Sequence, residues 1–352
     1  MLVTNRIFGC MLGGAIGDAL GYQVEFDSIR AIVSKFGSYG VTDFRHDIGI
    51  VSDDTQMTIF TANALLNCIA NENSDKLKDV DTWTPYIHEA YREWYTTQNN
   101  KFKKELDKYK CWVMGDKRLW VDRAPGNTCL SALSNRRERS VSNPLNDSKG
   151  CGGVMRVAPI GIACFDKINS ATKTFEIGAN AAAITHDHID GFIPAGMLAV
   201  IIAALVHVEM DLDDAVYQSI KLAEGYLKEK ECDTIDKVKQ AIKLSQSSEE
   251  ISDLTNIEKL GGGWTGDEAL AIAIYCSLRY PNNFEKAVLA SINHSGDSDS
   301  TGAITGNIMG ALLGDSSIPN TFKRKVELQD MLSQLSIDMS VNINKWLKTY
   351  KR

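Results

Sequence analysis

The chain has 352 residues, 44 % of them hydrophobic, 24 % charged and 8 % aromatic, a profile that supports a large buried core and excludes a disordered, fibrous or repeat-array protein. With 38 Lys and Arg against 45 Asp and Glu the net charge is −7, so no basic surplus exists to neutralise a phosphate backbone and nucleic-acid binding is not expected. The eight cysteines are scattered without a CxxC pair, which points to reduced thiols and a cytoplasmic location rather than a disulfide scaffold. Residues 1–10 show neither a basic n-region nor a cleavage site, so no secretory leader is expected. A glycine ladder follows, with Gly9, Gly13, Gly17 and Gly21 on one helical stripe. Apolar periodicity then predicts helices over 57–68, 86–96, 174–184, 194–208, 212–228, 235–244, 267–278 and 284–292, with 323–350 helical in more than one piece. A second ladder, Gly302, Gly306, Gly310 and Gly314, lies ahead of that last stretch.

Residues 191–208 are uncharged and long enough to be considered as a membrane span, which needs roughly 17–25 residues. Their flanks are acidic (Asp187 and Asp190 before, Glu209 and Asp211 after) and carry no Lys or Arg anchor, so the stretch reads as the central helix of a soluble all-helical domain, with no membrane partner. The polar stretches 70–84, 135–149, 229–233 and 245–258 read as surface loops. Convincing strands are nearly absent and no linker-like segment appears, so the simplest organisation is one all-α domain over 1–352.

Glycine inside a helix costs about 1 kcal/mol relative to alanine, so each ladder implies that something approaches the backbone closely, tight helix–helix packing being the plain reading. Beside the ladders stand two acidic clusters, Ser52-Asp53-Asp54-Thr55 and Asp297-Ser298-Asp299-Ser300-Thr301. Singly, each is explained as a helix N-cap with carboxylates favoured by the helix dipole. Brought together they would repel by about 4 kcal/mol per close pair at an effective dielectric near 20 and would call for a cation. Their donors are all oxygens, which suit Mg²⁺, Mn²⁺ or Ca²⁺ rather than Zn²⁺. The second cluster opens like an EF-hand loop, but Ile308 stands where a bidentate Glu is required. It also spells the DxDxT of haloacid-dehalogenase-type phosphatases, without the hydrophobic strand that should precede it.

Three more features lie between the clusters. The Gly150-Cys151-Gly152-Gly153 turn can present N–H groups to phosphate or be only a turn. Thr185-His186 can bind a ligand or be a surface capping segment. Trp264, after three glycines, can stack on a base or fill the core.

The ordered set resembles the ADP-ribosylglycohydrolase family over most of the chain. The matching elements are Gly13 to Gly21 with Asp18 and Glu25, Ser52 to Met57, Arg123 to Thr128, Gly150 to Arg156, Thr185-His186, Gly263-Trp264 with Glu268, and Gly296 to Ser300. The resemblance implies a compact orthogonal multi-helix bundle around a dinuclear site of two Mg²⁺ or Mn²⁺ ions. It implies that Ser52, Asp53, Asp54, Asp297, Asp299 and Ser300 are metal ligands, and that Glu25, Asp53 or Asp54 handles protons. Gly150, Gly152 and Gly153 would cradle the diphosphate, while His186 and Trp264 would contact the rest of the ligand. The implied activity is hydrolysis of the N-glycosidic bond between ADP-ribose and a modified protein, with arginine as the expected acceptor. Such an enzyme reverses an endogenous transferase or an ADP-ribosylating toxin. With no long arm ahead of Gly9, toxin immunity is expected to be enzymatic, and the protein to be a monomer. The competing reading is a catalytically silent member that binds ADP-ribose or a partner. Two departures stand out: Ser300 replaces the usual threonine, and Asp187-His188-Ile189-Asp190 replaces a segment that commonly carries proline.

Overall fold

The computed structural model describes residues 3–102, 108–135, 137, 139–228, 230–247 and 252–340. Among them the elements in chain order are α1 (Val3–Gly21), α2 (Ile29–Phe36), α3 (Asp53–Asn71), α4 (Ser74–Leu77), α5 (Trp83–Asn99), α6 (Asn127–Ser134), α7 (Ala158–Ile168), α8 (Ala171–Ala183), α9 (Ile189–Ala203), α10 (Leu212–Leu227), α11 (Asp233–Ser245), α12 (Asp253–Leu260), α13 (Gly266–Arg279), α14 (Phe284–Ile292), α15 (Ser298–Leu313), α16 (Asn320–Lys325) and α17 (Gln329–Ser340). No strand occurs among the described residues; the extended contacts are the isolated bridges Gly49–Val326 and Gly150–Thr265. The fold is all-helical, as the periodicity predicts.

The glycine ladders explain the central pair. A Cβ added at Gly9 would lie 2.3 Å from the Gly310 carbonyl oxygen, one at Gly13 2.3 Å from that of Gly306, one at Gly17 1.9 Å from that of Gly302, and one at Gly21 2.1 Å from that of Ser298. Rising numbers on α1 meet falling numbers on α15, so the helices run antiparallel with their backbones in contact. The plain packing reading of the ladders is correct. Gly314 is the exception: it ends α15 at φ 79° instead of continuing the stripe. The consequence for function is positional, because the C-terminal end of α1 is fixed beside the N-terminal end of α15.

The apolar stretch forms α9 and the π turn Ala204–Val208. It is long and apolar enough to cross a membrane, yet 94 % of it is buried inside the protein, packed against α7, α8, α10 and α13. One hydrophobic cluster runs from Ile7 to Leu335, and all eight cysteines are free thiols.

Outside the stretches read as loops, three helices were not predicted: α2, α6 and α7. Two are only 8 residues long, and α7 carries a proline in its first turn, so none displays a sustained period. The loop readings of 70–84 and 245–258 need correction, since they hold α4 with a 3₁₀ turn and α12 respectively. The expected helix over 323–350 breaks around Leu328, which has φ 61°, into α16 and α17; its part beyond Ser340 lies outside the described residues.

Candidate active site

The site begins with an acid buried in the last turn of α1. The Asp18 carboxylate accepts the Ser52 N–H at 3.0 and 3.1 Å, the Thr55 N–H at 3.1 Å and the Thr55 hydroxyl. It thereby ties α1 to the first turn of α3, where Ser52 Oγ caps the Asp54 N–H at 3.2 Å. The Asp53 N–H donates to the Arg123 carbonyl at 3.1 Å, which draws in the 123–128 turn. Across the site Asp297 caps α15, its Oδ1 accepting the Ser300 N–H at 3.3 Å. The Asp297 N–H donates to the Gly262 carbonyl at 2.8 Å, and the Gly262 N–H donates to Glu268 Oε2 at 3.2 Å. The loop can lie this close only because Gly296, at φ 149°, has no side chain: a Cβ there would stand 2.0 Å from the Gly262 oxygen.

These anchors open a cavity of about 180 Å³ whose wall includes Glu25, Asp53, Asp54, Asp297, Asp299 and Ser300, together with Gly150, Gly152 and His186. Larger hollows exist, such as one of about 290 Å³ beside Asn67, Tyr86 and Lys110. Convergent carboxylates, not size, single out the smaller cavity. Three of the expected residues are placed elsewhere. Ser52 is fully buried behind the wall as the α3 cap. Gly153 is buried where a Cβ would meet the Gly191 oxygen at 2.8 Å. Trp264 is 48 % exposed and stacks on Phe26 with centroids 5.5 Å apart, which overturns the core-filling alternative.

The surface reading of His186 is also overturned, since the residue is buried on the cavity wall. Its Nδ1 lies 2.8 Å from Thr185 Oγ1, and that hydroxyl accepts from Arg156 Nη2 at 2.6 Å. Arg156 is itself buried over the Tyr91 ring at 4.2 Å, bracing the wall from behind. Burial, with the Arg156 charge, pushes the His186 pKa down to about 3, so the imidazole is neutral. The segment that departs from the family pattern has local work to do. Asp187 Oδ2 accepts the N–H groups of Leu145 and Asn146 at 2.7 and 2.9 Å, and His188 Nδ1 caps α9 by accepting the Asp190 N–H at 3.1 Å.

The electrostatics are those of a site short of positive charge. Burial raises Asp53, Asp54 and Asp299 well above the usual carboxylate range, and each is raised further by its acidic neighbours. Burial also pushes Glu25 up to about 8, helped by Asp297 and Asp18, and Asp18 up to about 6. No Lys or Arg lines the cavity among the described residues. Asp54 Oδ2 is buried without a hydrogen-bond partner, a vacant acceptor in a donor set made wholly of oxygens, which fits a hard divalent cation. No three His, Cys, Asp or Glu side chains among the described residues already stand at closed metal-holding spacing; the carboxylates line a cavity rather than a cage.

Several wall residues escape sequence reasoning as site residues, Phe26, Cys129, Cys151 and Met155 among them. Phe26 follows Glu25 and carries no pattern of its own. Cys151, whose Sγ donates to Asp297 Oδ2 at 3.0 Å, is one thiol among eight. Asp18 did leave a signal, a lone acid within an apolar glycine ladder.

The ADP-ribosylglycohydrolase family model matches residues 2–346. The chain belongs to the ADP-ribosylglycohydrolase family. A protein of Archaeoglobus fulgidus, named only as uncharacterized, is 26 % identical over 95 % of both chains. The ADP-ribosylhydrolase ARH3 of Mus musculus is 24 % identical over 92 % of this chain and 88 % of its own length. The ADP-ribosylarginine hydrolase Tri1 of Serratia proteamaculans is 25 % identical over 94 % and 78 %. Among solved structures, an ADP-ribosylglycohydrolase-related protein complex shares the fold at a TM-score of 0.63 and 20 % identity, covering 96 % of this chain and 98 % of that one.

Proposed function

We propose that this glycohydrolase releases ADP-ribose from modified protein by hydrolysing the N-glycosidic bond to arginine, with two Mg²⁺ or Mn²⁺ ions held between its acidic clusters. The observation that carries the reading is the convergence of carboxylates from the N-termini of α3 and α15 on one cavity without a cationic side chain, with Asp54 Oδ2 unpaired. The choice of arginine is supported by the name of the Serratia relative.

Asp53 and Asp54 from α3, and Asp297, Asp299 and the Ser300 hydroxyl from α15, would hold the ions. When bound, such a pair supplies Lewis acidity toward ribose hydroxyls and toward water. The chain's own groups do the rest. At Gly152 a Cβ would stand 3.0 Å from His186 Cε1, and at Gly150 3.2 Å from His186 Nε2, so glycine keeps this wall open and leaves backbone for a diphosphate to approach. The hydrogen-bond order fixes the His186 tautomer. Arg156 donates to Thr185 Oγ1, and the Thr185 proton has its nearer acceptor in His186 Nδ1 at 2.8 Å rather than the Ala182 carbonyl at 3.4 Å. Nε2 then carries the hydrogen and donates to a ribose or phosphate oxygen. Glu25, half-buried and the least buried carboxyl of the wall, is the group placed to exchange a proton with the leaving guanidine as the sugar passes through an oxocarbenium-like state.

The test is release of free ADP-ribose from arginine-ADP-ribosylated protein with Mg²⁺ or Mn²⁺ and with EDTA, using the native chain, Asp54→Ala and Asp297→Ala. Metal-dependent release lost in both variants is expected. Absence of release from arginine, serine and small-molecule linkages while ADP-ribose still binds would overturn the proposal in favour of a silent binding module.

A further inference from the structure

A glycine strap, residues 261–264 between α12 and α13, braces the carboxylate cavity from outside and touches both halves of the site. The Gly262 carbonyl accepts the Asp297 N–H at 2.8 Å, and the Trp264 carbonyl accepts the Cys151 N–H at 3.2 Å. Cys151 Sγ in turn donates to Asp297 Oδ2 at 3.0 Å, which closes a ring of three hydrogen bonds around one acid. The strap lies hard against the first turn of α15: a Cβ at Gly263 would meet Thr301 Cγ2 at 2.7 Å and the Asp297 oxygen at 3.1 Å.

The far side of the strap is held by two residues that are not on the cavity wall, Glu268 and Lys237. Glu268, in the first turn of α13, accepts the Gly262 N–H through Oε2 at 3.2 Å. Its side chain also fills the space over Gly261, where a Cβ would stand 2.3 Å from Glu268 Cδ. Lys237, from α11, donates to the Leu260 carbonyl at 3.1 Å and lies 3.5 Å from Glu268 Oε1 and 3.6 Å from Asp267 Oδ2. Gly262 is thus bonded on one side to Glu268 and on the other to Asp297. Glycine has no Cβ to restrict its backbone torsions, so these two bonds set its conformation and a displaced strap carries Asp297 with it.

We propose that Glu268, supported by Lys237, is a positioning residue that acts through Gly262 to fix the Asp297 carboxylate at the N-terminus of α15. That Asp297 holds a metal ion rests on the reading under Proposed function; the hydrogen-bond path does not. Partners standing behind a metal ligand are typically worth about 10–100-fold in metal affinity.

The experiment has two arms, both run on the full chain well below the melting temperature of each variant, so that loss of global stability alone moves neither readout. NMR of the metal-free chain in EDTA follows the Gly262 and Asp297 amide protons, and Mn²⁺ titration without substrate follows affinity. In Glu268→Ala both amide protons should move upfield as their hydrogen bonds lengthen or vanish, and Mn²⁺ should bind about tenfold more weakly. Glu268→Gln keeps an acceptor oxygen for Gly262 and should restore the Asp297 amide position and the native affinity. Lys237→Met, at a half-buried side chain, should act in the same direction as Glu268→Ala but more weakly, and it decides the matter if Glu268→Ala does not fold. The proposal is overturned if the Asp297 amide keeps its native position in the deciding variant, if Mn²⁺ affinity there is native, or if Glu268→Gln behaves as Glu268→Ala does. A native chain that binds no Mn²⁺ would remove the metal reading, and the amide positions alone would then decide whether Glu268 positions Asp297.

Discussion

Substituting Gly17 by alanine probes the contact on which the site's geometry depends. The new methyl would lie 1.9 Å from the Gly302 carbonyl oxygen and 2.4 Å from its carbon, where ordinary contact begins at 3.4 Å. The shortfall of about 1.5 Å, 3.4 less 1.9, falls on helix backbone, so no rotamer change relieves it. Overpacking of this kind costs about 1–3 kcal/mol or more, and helix propensity returns about 1 kcal/mol. The obstacle is rigid, so the upper end applies and a net loss of about 2 kcal/mol is expected, a fall of about 4 °C in Tm at about 2 °C per kcal/mol. Activity should suffer more. Separation of α1 from α15 moves Asp18 and Glu25 relative to Asp297 and Asp299, and misplacement by about 1 Å can cost about 100-fold in rate. Gly225→Ala in α10 is the control, because nothing lies within 4 Å of its added Cβ and a gain of about 0.5–1 kcal/mol is expected. Urea denaturation, melting and ADP-ribose release would be measured on both. A Gly17→Ala protein as stable as the native chain, or a Gly225→Ala protein that loses as much, would refute the backbone-contact argument.

Asp18→Asn turns an amide toward the Ser52 and Thr55 donors and should lower stability by about 1–3 kcal/mol in urea, with activity falling alongside; an unchanged unfolding midpoint would show that Asp18 does not hold α3. Asp54→Asn removes one crowded charge, so in EDTA it should melt above the native chain and then gain nothing from Mg²⁺ or Mn²⁺. A lower melting point in EDTA would count against the crowding argument. The pH dependence has a definite sign. Glu25 and Asp18 hold their protons in the folded chain up to about 8 and about 6, whereas unfolding returns them to 4.5 and 3.8. Their contribution is therefore complete below those lower values and is lost as pH rises through the folded ones. The melting temperature in EDTA should fall between pH 5 and 8, and Glu25→Gln should flatten the upper part of that slope; a flat or rising native profile would contradict the raised pKa values.

How much of this was legible in the sequence depended on the range of each interaction. Glycine at every fourth position declares a close approach because it gives up helix stability locally, so both ladders could be read. Which backbone met which could not, because the partner of Gly17 lies at Gly302. The acidic clusters were legible as caps, which are local features. Their convergence rests on Asp18 reaching Ser52 and Thr55, 34 and 37 residues away, and no periodicity encodes that. Arg139 sits in a polar stretch that reads as a surface loop, yet it is 3 % exposed, a burial that no local pattern announces.

The Asp297 cluster shows why context outweighs spelling. Its DxDxT letters match a phosphatase nucleophile motif, which requires a strand to deliver the first aspartate. Here Asp297 ends a glycine turn held by Gly262 and caps a helix whose other face is glycine against α1. The N-terminal dipoles of α15 and α3 both favour carboxylates at this point, but each contributes only about half a charge, too little to offset four aspartates and Glu25. The remaining negative potential is what a divalent cation would satisfy, and it arises from the helix arrangement rather than from either motif alone.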